Sequence, residues 1–244
     1  MELKTFFKSH GKRIPAIIDF PSAKGKVPAI VLCHGFLGRK EQKLLSVPAH
    51  LFCEAGFAVL RFDFSGATAN KPWKTTPRVS MHVRELLDAL AFTRKLKQVN
   101  AKRVVLGGHS YGANICLLAA ARDKKIAGCI FFAPGREFQR YTHLFEDHKL
   151  KLFGRSFSVS KQALREWMEN DLRKALKKVR KPVLIIAAGK DEYVPFPTLK
   201  KRFAGSNAKI VLLNGADHFF KGKTREVAVL ALEFSEKFFG RKKK

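Results

Sequence analysis

The stretch Val104-Val105-Leu106-Gly107-Gly108-His109-Ser110-Tyr111-Gly112-Ala113-Asn114 constrains the fold of this chain more than any other. A β-branched apolar run ends in glycines, a serine stands between two further glycine positions, and a helix-like run over 115–121 follows at once. Gly108-His109-Ser110-Tyr111-Gly112 fits G-x-S-x-G, the turn that holds a nucleophilic serine at the end of a strand. A serine so placed has a strained backbone, and the residues two before and two after it crowd that backbone, so glycine suits both positions. The following helix aims its N-terminal N–H groups and positive dipole end at the place where an oxyanion forms. The pentapeptide is common by chance, and the strand before it and the helix after it give it weight.

The surrounding chain alternates in the same way. Residues 3–8 and 13–20 read as two extended segments joined by a turn at His10-Gly11-Lys12, an antiparallel start to a sheet. Residues 29–33 form a short, continuously apolar strand of the kind buried on both faces of a parallel sheet, ending in His34-Gly35-Phe36-Leu37-Gly38. The pattern predicts a helix over 47–55 opened by Pro48, a strand over 57–62, and a loop from 63 to 77 broken by Gly66, Pro72 and Pro77. A helix from Ser80 to about Val99 follows, striped by Val83, Leu86, Leu87, Leu90 and Ala91, and then the central strand at 103–107. Further strands are expected at 126–133, 182–189 and 209–213. A short helix over 196–204 and a terminal helix carrying Val227, Leu230, Ala231, Phe234 and Phe238 complete the set.

Residues 136–180 interrupt this rhythm. Leu164, Trp167, Met168, Leu172, Ala175, Leu176 and Val179 make one helical apolar stripe there, with Lys161, Arg165, Lys174, Lys177 and Lys178 opposite. The expected architecture is a single α/β domain over 1–244, a doubly wound, mostly parallel sheet with an antiparallel start and a short helical lid inserted at about 136–180. The lid falls between two strands on the carboxyl side of the sheet, where such folds place their sites.

Composition limits the rest. Hydrophobic residues make up 46% of 244, which excludes disorder for the bulk of the chain. Cys33, Cys53, Cys116 and Cys129 all lie in apolar runs without C-x-x-C spacing, so they read as buried hydrophobes, with neither a disulfide nor a zinc site expected. The N-terminus lacks the apolar core of a secretory signal, and the longest apolar stretches run to about seven residues, far short of the roughly 18 that span a bilayer. A cytoplasmic location is the expectation. Against 20 acidic residues stand 48 Lys and Arg, a formal charge of +28, a field that draws polyanions, anionic membranes or acidic substrates. The basic residues are spread over many helices, with a basic tail at 241–244 and no specific nucleic-acid motif.

A serine hydroxyl needs a base to take its proton, and the base needs an acid to fix its tautomer. Both should follow strands after the elbow, in the order Ser, Asp, His. Gly189-Lys190-Asp191-Glu192-Tyr193-Val194-Pro195 follows one strand and Gly215-Ala216-Asp217-His218-Phe219-Phe220 the last one, which makes Asp191 the candidate acid and His218 the candidate base. Glu192, Asp217 and, more distantly, Glu137 are rival carboxylates. His10, His50, His82, His143 and His148 read as surface or structural, and His109 as packed beside the elbow. Candidate oxyanion donors are the backbone N–H groups of Tyr111 and Phe36. Phe138, Tyr141, Phe145, Phe153, Phe157 and Trp167 either wall an acyl pocket or seat the lid on the body, and Phe36 and Tyr111 join Phe138, Tyr141 and Trp167 as candidate substrate contacts. The chemistry calls for no metal and no cofactor.

Taken in order, His34-Gly35-Phe36, Arg61-Phe62-Asp63-Phe64-Ser65-Gly66, the elbow, Lys181-Pro182-Val183, the Asp191 loop and Gly215-Ala216-Asp217-His218 resemble the α/β-hydrolase superfamily over nearly the whole chain. Within it the chain resembles small intracellular esterases of the cinnamoyl/feruloyl and serine aminopeptidase-like group. The resemblance implies an α/β-hydrolase fold and a serine carboxylic-ester hydrolase working through an acyl-enzyme. Three departures mark this chain: Ala67-Thr68-Ala69-Asn70-Lys71-Pro72 replaces the His-Gly and acidic-Ser pair common in relatives, Tyr111 stands where many have glutamine, and the insertion is short and strongly basic. An amidase, peptidase or acyltransferase using the same triad is the neighbouring alternative. A polyanion- or anionic-membrane-binding protein on a hydrolase scaffold is the alternative of another class, motivated by the charge of +28, with the basic lid helix as a contact for an anionic membrane surface.

Overall fold

Strict alternation of buried side chains between two faces organises the molecule. In the computed structural model, which describes residues 1–66, 76, 78–146, 149–152 and 154–239, β3 (Val27–Cys33) sends Ala29, Val31 and Cys33 to one apolar cluster and Ile30 and Leu32 to the other. The same period of two divides Val183, Ile185 and Ala187 from Leu184, Ile186 and Ala188 on β10 (Val183–Ala188). With both faces apolar, helices must cover both.

The eight-stranded sheet runs in the order β1-β2-β4-β3-β5-β6-β10-β11. β1 (Glu2–Ser9) and β2 (Lys12–Asp19) form a hairpin whose loop residues His10 and Gly11 both take positive φ (47° and 71°), the twist-compatible two-residue turn. β2 also pairs antiparallel with β4 (Ala58–Phe62), while β3, β5 (Val99–His109), β6 (Gly128–Phe132), β10 and β11 (Ala208–Leu213) run parallel. One face carries α2 (Val79–Lys95), α3 (Tyr111–Ala120) and the lid, and the other carries α1 (Lys43–Glu54) and α7 (Thr224–Phe239). All ten residues of α3 are buried, as befits a helix enclosed on every side.

Three boundaries differ from expectation. α1 begins at Lys43, so Pro48 lies inside the helix; it is buried, and its ring sits where a backbone N–H would otherwise bond Leu44 O. α2 stops at Lys95 because Leu96 turns extended (ψ 129°), and the central strand starts at Val99, earlier than 103. The lid is not purely helical. After a 3-10 turn at Phe138–Leu144 come β7 (Phe145–Glu146), β8 (Lys149–Leu152) and β9 (Arg155–Ser158), a small antiparallel sheet in which Leu150 is buried between exposed Lys149 and Lys151. The single stripe expected over 164–179 is split into α4 (Lys161–Glu169) and α5 (Leu172–Lys178). Asn170 turns extended, and the Asp171 carboxylate caps α5 by accepting from the N–H groups of Arg173 and Lys174. Met168 drops out of the stripe at 49% exposure.

Residues 67–72, His148, Phe153 and the tail at 241–244 lie outside the described residues, as do the side chains of His143 and Phe145. Among the described residues no helix is long and apolar enough to cross a membrane.

Candidate active site

β5 ends at His109 and α3 starts at Tyr111, leaving Ser110 alone to turn the chain. It does so at φ 50°, ψ −116°, a conformation that costs an L-residue about 1–3 kcal/mol and persists because its surroundings enforce it. The flanking glycines explain that enforcement. A Cβ on Gly112 would lie 2.4 Å from His34 O, and one on Gly108 would lie 2.7 Å from Gly112 C. Ser110 N–H donates to Phe132 O (3.0 Å), which fastens the turn to β6.

The hydroxyl of Ser110 reaches His218 Nε2 at 2.9 Å, and His218 Nδ1–H reaches Asp191 Oδ2 at 2.8 Å. His218 lies in the turn after β11 and Asp191 in the loop after β10, so three strand ends converge on one point. All three side chains are buried, in a low dielectric that strengthens their interaction. The other Asp191 oxygen, Oδ1, accepts the N–H groups of Tyr193 and Val194 at 2.9 and 2.8 Å, which fixes the plane of the carboxylate. The rival carboxylates are engaged elsewhere or exposed: Asp217 accepts from Lys221 N–H, Glu137 pairs with Arg140 and Arg173, and Glu192 faces solvent.

His109 does more than pack beside the elbow. Its Nε2–H donates to the backbone carbonyl of His218 at 2.9 Å. Burial, then the neighbouring His218, push its pKa down to about 3, so it is neutral and keeps the tautomer this bond requires. The ring of His218 is further flanked by Tyr193 (5.0 Å between centroids) and Phe219 (5.2 Å).

The loop carrying Phe36 is pressed onto the elbow. A Cβ on Gly35 would lie 2.8 Å from His109 Nδ1 and 3.4 Å from Ser110 Cβ. His34 shapes this loop: its Nδ1–H donates to Gly35 O (2.8 Å) and its Nε2 accepts Phe64 N–H (3.1 Å). Asp63 holds the far side, with Oδ1 accepting Lys40 N–H and Oδ2 taking the Lys40 ammonium at 2.6 Å. Gly135, just after β6, closes from another side, since a Cβ there would lie 3.3 Å from Tyr111 N. The sequence hinted at His34 and Asp63 only through the stretches containing them; their roles come from contacts between separate loops.

Tyr111 points away from Ser110 into the body. Its O–H donates to His82 Nδ1 (2.9 Å), and His82 Nε2–H donates to Ser65 O (3.2 Å), which makes His82 a buried structural residue held neutral with a pKa of about 3 by burial. The Tyr111 ring meets Phe36 and Phe138 at 6.0 Å each, and Phe138 meets Trp167 at 5.4 Å. Tyr141 meets Trp167 at 5.8 Å, and Phe157 meets Phe36 at 5.2 Å. Phe138, Phe157 and Trp167 are fully buried, so these aromatics form the seam between lid and body.

Glu2, Asp19 and His50 bring three ligand atoms within 4.8 Å of one another. Arg61 already occupies both carboxylates, at 2.9 and 3.0 Å, so the positive charge a cation would bring is in place.

Comparisons with known proteins agree with the fold. A family model described as alpha/beta hydrolase fold matches residues 28–156. The chain is 28% identical over 130 residues to the quorum-quenching protein AidA of Acinetobacter baumannii (52% of this chain, 42% of that protein). It is 33% identical over 119 residues to the polyketide transferase grgF of Penicillium sp (47% and 39%). The chain thus spans about two fifths of the length of these curated relatives. Among solved structures, Est1E from Butyrivibrio proteoclasticus superposes with a TM-score of 0.85 at 22% identity, covering 97% of this chain and 98% of that one, and another structure of it holds ferulic acid. The model match covers more than half of the sequence, and the chain belongs to the alpha/beta hydrolase fold family.

Proposed function

We propose that this protein is a serine hydrolase of carboxylic esters that works through an acyl-enzyme. The observation that carries the reading is the unbroken line of hydrogen bonds from Asp191 through His218 to Ser110. Ser110 Oγ attacks the acyl carbonyl while its proton passes to His218 Nε2, and Asp191 steadies the imidazolium through Nδ1–H. The negative charge that develops on the carbonyl oxygen is taken by the backbone N–H of Tyr111, at the start of α3, and by that of Phe36, in the loop pressed against Ser110. His218 then gives its proton to the leaving alcohol. Water, deprotonated by the same imidazole, releases the acid and restores Ser110. Phe36, in the loop pressed against Ser110, forms the inner end of the acyl pocket, with Tyr111, Phe138, Tyr141 and Trp167 backing it.

The likeness to small esterases such as Est1E supports the ester as substrate. The resemblance to polyketide transferases over about half the chain favours a second reading, in which an alcohol rather than water accepts the acyl group. A fluorophosphonate probe should label the protein, and Ser110→Ala should abolish labelling; labelling that survives the substitution overturns the assignment. A panel of p-nitrophenyl esters and aminoacyl anilides, with and without acceptor alcohols, then separates ester hydrolysis from amide cleavage and acyl transfer.

A further inference from the structure

A cavity of about 560 Å³ opens on the far side of the connector that follows β6, and neither Ser110 nor His218 lines it. Three segments supply its cations. The connector brings Arg136 and Arg140, α5 brings Arg173, and α6 (Phe196–Phe203) brings Lys201 and Arg202. Against these five cations stands one carboxylate, Glu137, which receives Nε–H of Arg140 at 3.3 Å and Nε–H of Arg173 at 2.7 Å. Four positive charges remain uncompensated within one concavity.

A strongly basic surface spreads like charges apart, because each close pair costs Coulomb energy that low-dielectric walls enlarge. Convergence of cations from three separate segments is therefore the reverse of what a diffuse field produces. Arg202 makes the case sharper. It is 8% exposed, its Nη1 and Nη2 donate to the carbonyls of Gly135 and Pro134, and its Nε–H is buried with no hydrogen-bond partner among the described residues. A guanidinium N–H buried without a partner leaves the desolvation cost of its burial uncompensated. Burial lowers the pKa of Arg202 only to about 10, so it stays charged at neutral pH.

We propose that this cavity binds a small molecule carrying phosphoryl groups. Each phosphoryl brings three acceptor oxygens and a charge of about −1.5 to −2, so two of them match the surplus of four where a carboxylate would answer one. Arginine forks suit that geometry, and the volume falls in the range of pockets that enclose a complete small ligand. Through Arg136 the cavity adjoins the Pro134-Gly135-Arg136 connector. Arg202 holds its inner carbonyls, Arg136 donates Nε–H to Tyr193 O, and Asn114 of α3 donates to Arg136 O at 2.9 Å. A ligand there bears on the segment that lies against Ser110 without entering the Ser110 site.

The test is calorimetric titration of the full chain with inorganic pyrophosphate at 150 mM salt, which does not depend on hydrolytic activity. The expected result is saturable one-to-one binding, weakened at least tenfold in Arg140→Ala/Arg173→Ala and in Lys201→Glu. All three residues are exposed, so the fold is spared. The control, Lys124→Ala/Lys125→Ala, removes two exposed charges from the loop before β6, at the opposite end of the sheet, and should change affinity less than twofold. Non-saturable binding, or equal weakening by the control, reduces the cavity to part of the diffuse basic field and overturns the proposal. Citrate binding as tightly as pyrophosphate overturns the phosphoryl assignment.

Discussion

His109 Nε2–H and the carbonyl of His218 are joined at 2.9 Å across 109 positions of sequence. One is the residue before the proposed nucleophile and the other is the proposed base, so this bond ties the end of the central strand to the turn after β11. His109→Phe keeps the buried ring and removes the donor. The rate of fluorophosphonate labelling at Ser110 should fall ten- to a hundredfold, on the scale of lost positioning near the reacting atoms, while the fold survives. His109→Gln, which retains an N–H, should recover part of the loss. A labelling rate unchanged in His109→Phe removes the positioning role.

The elbow, the alternation of strands and helices around it and the candidates Ser110, Asp191 and His218 can be read from the sequence because each is written locally. A strand followed by a glycine-bounded serine and a helix needs no distant partner to be recognised, and Asp191 and His218 stand directly after apolar strands. The lid was less legible. The alternation Lys149-Leu150-Lys151-Leu152 is too short to outweigh a helical expectation, and the break at Asn170-Asp171 interrupts a stripe that otherwise looks continuous. The bracing of the Phe36 loop by Asp63, and of Tyr111 by His82, joins residues 23 and 29 positions apart through side-chain hydrogen bonds, which periodicity does not record.

Gly112 should be the least replaceable glycine of the elbow. A methyl group there meets His34 O at 2.4 Å and Cys33 O at 2.7 Å, and both are backbone atoms of a central strand end that cannot swing aside. Gly112→Ala should cost about 3 kcal/mol in urea unfolding. Gly128→Ala, where the nearest atom is Pro182 O at 3.2 Å, should cost about 1 kcal/mol. Equal costs at the two positions would show that the elbow yields more than its packing implies.

Tyr111 separates two roles in one residue. Its N–H belongs to the proposed oxyanion site, while its O–H serves the body by donating to buried His82 Nδ1. Tyr111→Phe removes the second and keeps the first. The variant should lose about 1–2 kcal/mol of stability from the lost bond to a buried acceptor. Its turnover of short-chain esters should stay within about twofold of the wild type. A large fall in turnover at unchanged stability would move the phenol into the substrate site.

Glu85 offers a test of burial through pH. Its Oε2 accepts Ser65 N–H at 3.0 Å, its Oε1 is buried with no hydrogen-bond partner among the described residues, and burial raises the carboxyl above its ordinary value of 4.5, more than hydrogen bonding to Ser65 lowers it. A carboxyl whose pKa is higher folded than unfolded binds its proton more tightly in the native state. The unfolded chain therefore loses that proton first as pH rises, and native stability declines from about the unfolded value up to the folded one, then levels. Glu85→Gln carries no such proton. In urea unfolding between pH 4 and pH 8, the stability of the wild type relative to Glu85→Gln should be greatest at the acid end and fall as pH rises, while titrations elsewhere cancel in the difference. Parallel curves across that range would mean that Glu85 ionises as readily in the folded protein as in the unfolded chain, and that the site beside Ser65 is wetter than its burial indicates.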